Sequence, residues 1–166
     1  MSKYLISICL IFNVLISVAQ NMDDSYILET KYRNPIDTAD ISRGRTPCMV
    51  LFVHPTHENC HKCATSRMLE ALAKDSLGLR EQWNIKLYVI YPHYSKRDIK
   101  TFEHYQAKNT ILAFDYEGKY RKTFDSGNTT PFIALYDGKG HCWTILGGTY
   151  DTLVSYTKLW LQKNMK

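Results

Sequence analysis

Residues 48–63 read CMVLFVHPTHENCHKC, and they join an apolar run to a pair of cysteines. The run Cys48–Val53 is rich in β-branched and aromatic residues, which is typical of a central strand covered on both faces. Downstream, apolar residues recur at helical spacing, namely Met68, Leu69, Leu72, Ala73 and Leu77. This pattern predicts a helix from Cys60 to about Lys74 or Leu77. Asn59 would be its N-cap.

Cys60 and Cys63 are three positions apart, so at a helix start they lie one turn apart and can close a small disulfide. The positive end of a helix favours the thiolate of the first cysteine. A zinc site would need a second such pair or a histidine pair downstream, and Cys142 stands alone. Redox chemistry, inert or structural thiols, and a soft transition-metal site remain open. The metal site would draw on His54, His57, Cys60, His61 and Cys63.

The N-terminus has the pattern of an export signal. Lys3 supplies a positive start, Tyr4–Val18 is almost wholly apolar, and a small-x-small site ends at Ala19. The apolar stretch is short for a membrane span, and an uncleaved anchor is the alternative. We therefore expect residues 1–19 to be a signal peptide and the protein to be exported, periplasmic or otherwise extracytoplasmic.

The chain has 166 residues, five cysteines and a formal net charge of +5. Once the signal is removed, this length fits one domain that can build a core without disulfide staples. We expect residues 20–46 to form an N-terminal lead-in and residues 47–166 to form the domain. Few cysteines in an oxidising compartment favour a catalyst over a disulfide scaffold. A modest charge without a basic run argues against nucleic acid as a partner.

The remaining elements follow from apolar periodicity. Ile85–Tyr91 predicts a second strand, parallel to the first through a right-handed crossover. Ser95–Gln106 predicts a helix, and Thr110–Phe114 a short strand or extended link. The lead-in contains one expected short helix, around Asp37–Ser42.

The C-terminal part predicts a hairpin and a helix. Phe132–Tyr136 and His141–Leu146 are apolar runs separated by Asp137-Gly138-Lys139-Gly140, a strong turn signal. One face of the closing helix carries Leu153, Tyr156, Thr157, Trp160 and Leu161.

This order of elements resembles the thioredoxin superfamily over roughly residues 45–165. The most specific motifs are Cys60-x-x-Cys63 and Thr130-Pro131-Phe132. The resemblance implies an α/β, thioredoxin-like three-layer fold with a central mixed β-sheet flanked by helices. It also implies that a cis proline, Pro131, lies against the disulfide. The signal peptide and the long segment 92–130 are similar to those of exported, periplasmic thioredoxin-like oxidoreductases.

The resemblance implies a thiol-disulfide oxidoreductase that exchanges disulfides with exported protein substrates. Cys60 would be the exposed nucleophile and Cys63 the buried resolving thiol. His61 and Lys62 would tune the thiolate pKa and the redox potential, and two cations predict a better oxidant than thioredoxin. The backbone of Thr130 would pair with an extended substrate peptide.

Other expectations concern proton transfer and partners. His54 and His57 could carry protons to Cys63. We expect no cofactor, a monomer, and a membrane electron donor or acceptor as a further partner. Three departures from the family point to a substrate-specific or divergent member. Asn59 replaces the usual aromatic residue, the loop from the strand to Cys60 is longer and carries two histidines, and Cys48–Val53 lacks a buried carboxylate. The alternatives are a metal-binding or metallochaperone module and a non-catalytic thioredoxin-like binding domain. Cys48 and Cys142 are expected to be buried strand residues.

Overall fold

The computed structural model of the protein describes residues 25–30, 32, 34–53, 63–93, 95–96, 99–100, 103, 110–124, 131–146 and 149–165. The strands are β1 (Ile27–Thr30), β2 (Pro35–Asp37), β3 (Cys48–Phe52), β4 (Lys86–Tyr91), β5 (Thr110–Phe114), β6 (Phe132–Tyr136) and β7 (Cys142–Leu146). The helices are α1 (Thr38–Ser42), α2 (Ala64–Ala73), α3 (Lys119–Lys122) and α4 (Tyr150–Asn164). Residues 96, 99, 100 and 103 are also helical, in agreement with the helix predicted after Ser95.

The seven strands form one mixed sheet in the order β2-β1-β5-β4-β3-β6-β7. The central strands β3, β4 and β5 are parallel, and the pairings on either side are antiparallel. The predicted parallel pair is therefore confirmed, as is the hairpin of β6 and β7. Thr110–Phe114 is a strand.

Helices cover both faces of the sheet, which confirms the three-layer, thioredoxin-like architecture. Alternation along β3 sends Met49, Leu51 and Val53 to one face and Cys48, Val50 and Phe52 to the other. The first face packs against α2 and α4, through side chains that include Met68, Leu69, Leu72, Leu153, Trp160 and Leu161. The second face packs against Ile41, Tyr120 and Phe124. Within the described residues, no helix is both long and apolar enough to span a bilayer.

The predicted start of α2 was wrong. We expected the helix to begin at Cys60 with Asn59 as N-cap, but it begins at Ala64 and its N-cap is Cys63. Cys63 has an extended backbone, with φ −71° and ψ 161°, so it stands outside the helix. The short helix predicted in the lead-in is confirmed as α1, with Asp37 as the N-cap.

Candidate functional site

The sheet register places the end of β3, the start of β6 and the end of β7 side by side at one edge of the sheet. In the antiparallel pair of β3 and β6, Phe52 is opposite Phe132, and in the pair of β6 and β7, Phe132 is opposite Leu146. Val53 therefore leaves β3 at the same edge at which Pro131 enters β6. We call this edge, defined by Phe52, Phe132 and Leu146, the site edge.

Contacts between two helices place the start of α2 at the site edge. The helix α4 begins shortly after β7 ends there, with Thr149 as its N-cap. The guanidinium of Arg67, the fourth residue of α2, lies 4.0 Å from the centroid of the Tyr150 ring. It also lies 3.4 Å from the carboxylate of Asp151. The first turns of the two helices are thus held together, and Cys63 lies one turn before Arg67.

Cys63 caps α2 through its sulfur. The backbone N–H of Ser66 donates a hydrogen bond to the Cys63 Sγ at 3.5 Å. The Ser66 hydroxyl oxygen lies 3.3 Å from the same sulfur. Cys63 is partly buried, not fully buried as expected, and Ser66 is only 3% exposed. The positive end of the helix, which we expected to act on Cys60, thus has one of its amides bonded to Cys63, and this arrangement favours a negative charge on the Cys63 sulfur.

Pro131 is buried immediately before β6, whose first residue, Phe132, belongs to a cluster of aromatic rings. The rings of Phe52 and Phe132 are stacked with their centroids 4.3 Å apart. Phe124 packs against both, at 5.2 Å and 5.9 Å. This packing fixes the last residue of β3 against the first residue of β6, so the entry point of Pro131 is held by the core.

Several predicted site residues lie outside the described part of the chain. They are His54, His57, Cys60, His61, Lys62 and Thr130. Their roles, and the isomer of the Thr130–Pro131 bond, remain predictions. Of the five members of the potential metal cluster, the structure describes only Cys63. No group of three or more His, Cys, Asp or Glu residues that could hold a metal occurs within the described ranges.

Comparison with known proteins was informative only at the level of structure, since no family model and no curated protein matches the sequence. A secreted disulfide oxidoreductase of Mycobacterium tuberculosis, homologous to E. coli DsbE, superposes with a TM-score of 0.62 at 14% identity, covering 83% of this chain and 95% of that one. A thioredoxin-like protein from Porphyromonas gingivalis gives a TM-score of 0.65 at 13% identity, with 86% and 90% covered. The thioredoxin domain of a thiol-disulfide oxidoreductase from Bacteroides vulgatus gives 0.55 at 15% identity, with 82% and 93% covered.

The fold is thioredoxin-like. Superpositions at identities this low establish the architecture of the chain, and its chemistry has to be argued from its own residues.

Two further cysteines lie inside this thioredoxin-like core, as expected. Cys48 and Cys142 are 2% and 8% exposed. Burial, reinforced by the neighbouring Cys142, raises the pKa of the Cys48 thiol to about 12. Burial also raises the pKa of Cys142 to about 12, although a hydrogen bond with Tyr136 opposes this shift. Both thiols are protonated at neutral pH, which makes them poor nucleophiles.

The strand register keeps these two cysteines apart. Cys48 is opposite Tyr136 on β6, and Tyr136 is opposite Cys142 on β7. Two strand spacings correspond to about 9.5 Å, whereas a disulfide requires Cα atoms within about 7 Å of each other. The Tyr136 hydroxyl lies 3.0 Å from the hydroxyl of Tyr120 in the same buried layer. Cys48 and Cys142 are therefore structural residues.

Proposed function

We propose that the protein is a thiol-disulfide oxidoreductase that exchanges disulfides with exported protein substrates through Cys60 and Cys63. The observation that carries this proposal is the position of Cys63, at the N-cap of the helix that follows β3 in a thioredoxin-like fold. Cys60 precedes it by three residues. Helix N-termini favour thiolates, and the thiolate is the species that attacks a disulfide.

In the proposed reductive direction, the Cys60 thiolate attacks one sulfur of a substrate disulfide. A mixed disulfide forms, and the other substrate sulfur leaves as a thiolate that takes up a proton. Cys63, as a thiolate, then attacks the Cys60 sulfur, so the Cys60–Cys63 bond forms and the second substrate thiolate is released. The same steps in reverse oxidise a substrate dithiol. No cofactor is required.

The direction depends on the reduction potential of the pair. His61 and Lys62 are cationic or can become so, and positive charge stabilises the thiolate and hence the reduced form. The proposal therefore includes a pair that is more oxidising than thioredoxin, for which about −270 mV is typical. A membrane electron donor or acceptor would complete the cycle in the extracytoplasmic space.

The substrate would lie along the site edge. Pro131 enters β6 there, and the backbone of Thr130 is proposed to pair with an extended substrate peptide as an added strand. His54 and His57 are proposed to exchange protons with the thiols during the two attack steps.

The proposal is tested with the chain lacking residues 1–19, equilibrated in glutathione buffers and then trapped by acid and alkylation. We expect Cys60→Ser and Cys63→Ser to abolish turnover, and Cys63→Ser to accumulate a mixed disulfide through Cys60. Cys142→Ala is the matched control, because it removes a buried cysteine, and it should retain exchange. Exchange that survives in Cys60→Ser, or that is absent from the unsubstituted protein, would refute the proposal.

The tuning role is tested separately by the double substitution His61→Gly, Lys62→Pro. Its Cys60–Cys63 pair should be less oxidising in the same glutathione titration. A variant that is equally or more oxidising would show that these residues do not set the potential.

A further inference from the structure

Ser66 contacts the sulfur of Cys63. It is the third residue of α2, and it presents two groups to the Cys63 Sγ: its backbone N–H at 3.5 Å and its hydroxyl at 3.3 Å. The Ser66 side chain is almost completely shielded from solvent. Because water has little access to the hydroxyl, its interaction with the sulfur is stronger than the same contact at a surface.

The effect of these two groups depends on the state of the sulfur. A neutral thiol both donates and accepts a weak hydrogen bond, and the rotatable Ser66 hydroxyl can take either role. A thiolate only accepts, so the hydroxyl and the N–H of Ser66 both donate to it. Hydrogen bonds to a charged acceptor are roughly twice as strong as those between neutral groups. A disulfide sulfur is uncharged and accepts only weakly, so Ser66 favours the thiolate over both other states.

We propose that Ser66 is a positioning residue that stabilises the thiolate form of Cys63, the form that resolves the mixed disulfide. This inference rests on the proposed function and adds a residue to its mechanism. In the resolving step the Cys63–Cys60 bond forms, the Cys60–substrate bond breaks, and the electron pair leaves on the substrate sulfur. The strand Cys48–Val53 carries no acidic residue to accept the Cys63 proton, and the two hydrogen bonds from Ser66 stabilise the charge that Cys63 carries in this step.

Charged side chains near Cys63 must be kept constant in any test. On α2, Arg67 is paired with Asp151 of α4, and Glu70 is paired with Lys74. His61 and Lys62 adjoin Cys63 in the sequence. Substitutions of Ser66 change none of these groups, so a change in the titration of Cys63 reports the hydroxyl.

The first experiment measures the alkylation rate of Cys63 by iodoacetamide against pH, in a Cys60→Ser background. Ser66→Ala should move the midpoint of the profile to higher pH and slow alkylation near neutral pH by roughly three- to tenfold. Ser66→Thr, which keeps a hydroxyl, should restore the midpoint, whereas Ser66→Val, of nearly the same volume, should not. Ser76 lies beyond the C-terminal end of α2, and its hydroxyl donates a hydrogen bond to the carbonyl of Ala71. Ser76→Ala removes this hydroxyl far from Cys63 and should leave the profile unchanged.

The second experiment measures the glutathione equilibrium of the intact Cys60–Cys63 pair. Loss of the Ser66 hydroxyl should favour the disulfide by up to roughly tenfold, which corresponds to about 30 mV towards a more reducing pair. Ser66→Thr should again behave like the unsubstituted protein.

The outcomes separate the inference from the proposed function. Identical pH profiles for Ser66→Thr and Ser66→Val would overturn the role of Ser66, even if exchange through Cys60 and Cys63 is intact. A shifted profile in a protein that exchanges no disulfides would support the contact between Ser66 and the Cys63 thiolate and refute the proposed function.

Discussion

The two buried cysteines should be almost unreactive in the folded, reduced protein. An ordinary cysteine thiol has a pKa of about 8.5, so about a quarter of it is thiolate at about pH 8. With the pKa of Cys48 and of Cys142 raised to about 12, the corresponding fraction is about one in ten thousand. Ionisation alone therefore lowers their alkylation rate by about two thousandfold relative to an ordinary thiol.

Burial lowers the rate further, because the reagent cannot reach the sulfur. The Cys48 Sγ donates a hydrogen bond to the carbonyl of Ile41 at 3.5 Å, beneath α1. Cys142 is 8% exposed. We expect both to react only when the protein opens locally or unfolds, so that their rates follow the unfolding equilibrium.

The measurement is timed alkylation of the reduced protein, followed by quantification of each cysteine-containing peptide by mass spectrometry. Cys63 should be modified early, and Cys48 and Cys142 at least a thousandfold later at about pH 8. In concentrated guanidinium all of the cysteines should react at similar rates, which controls for the intrinsic reactivity of each peptide. Labelling of Cys48 or Cys142 within tenfold of Cys63 would refute the reasoning.

Three further predictions concern the β6–β7 hairpin and the buried layer beside it. Gly138 has φ +75°, and a Cβ there would lie 2.5 Å from the Arg45 carbonyl oxygen, whereas a Cβ at Gly140 (φ +92°) would meet nothing within 4 Å. In urea unfolding, Gly140→Ala should lower the free energy of unfolding by about 1–2 kcal/mol and Gly138→Ala should lower it clearly more. Equal losses for the two variants would contradict this. Asp137 is partly buried, which opposes ionisation, but hydrogen bonds from the His141 ring and from the N–H groups of Lys139 and His141 lower the pKa of its carboxyl. The ionised Asp137 stabilises the folded protein fully above the pKa of an unfolded aspartate, about 4, and this stabilisation is lost as the pH falls through the lower pKa of the folded state. Asp137→Asn should therefore flatten the acid limb of the curve of stability against pH, whereas Glu81→Gln, at an exposed position, should not. Tyr120→Phe removes the buried contact with the Tyr136 hydroxyl and should lower the free energy of unfolding by about 1–2 kcal/mol, while Tyr116→Phe at an exposed position should change it little.

Elements with strong local signals could be predicted from the sequence. The run Cys48–Val53 is apolar at every position and is buried at every position. The Asp-Gly-Lys-Gly turn requires positive φ at both glycines, which other residues rarely adopt, so its position fixes the hairpin. These features determine the parallel centre of the sheet and its antiparallel edge.

The strands β1 and β2 could not be predicted in the same way. Only Leu28 in them is fully buried, and Ile27 is 68% exposed. An apolar residue on the solvent side of β1 and a partner strand of only three residues give no clear alternation. The placement of both strands therefore depends on the pairing of β1 with β5.

The start of α2 was also mispredicted, for a physical reason. Asn is among the strongest N-caps and a cysteine is not ranked with them, so local rules place the cap at Asn59. The observed cap at Cys63 depends on a sulfur that accepts from the Ser66 amide. The contact of Arg67 with Tyr150 and Asp151 joins residues more than eighty positions apart, and it follows from the packing of two helices rather than from any local pattern.

Backbone hydrogen bonds fix the chain on either side of the segment 54–62. Before it, the backbone N–H of Val53 donates to the carbonyl of Ile90 at 3.0 Å, which continues the pairing of β3 with β4. After it, the carbonyl of Cys63 accepts from the N–H of Arg67 at 3.0 Å and begins α2. The core and these two hydrogen bonds therefore fix the end of β3 and the start of α2, and with it the position of Cys63. The fold thus holds the Cys63 thiol at the N-terminus of α2.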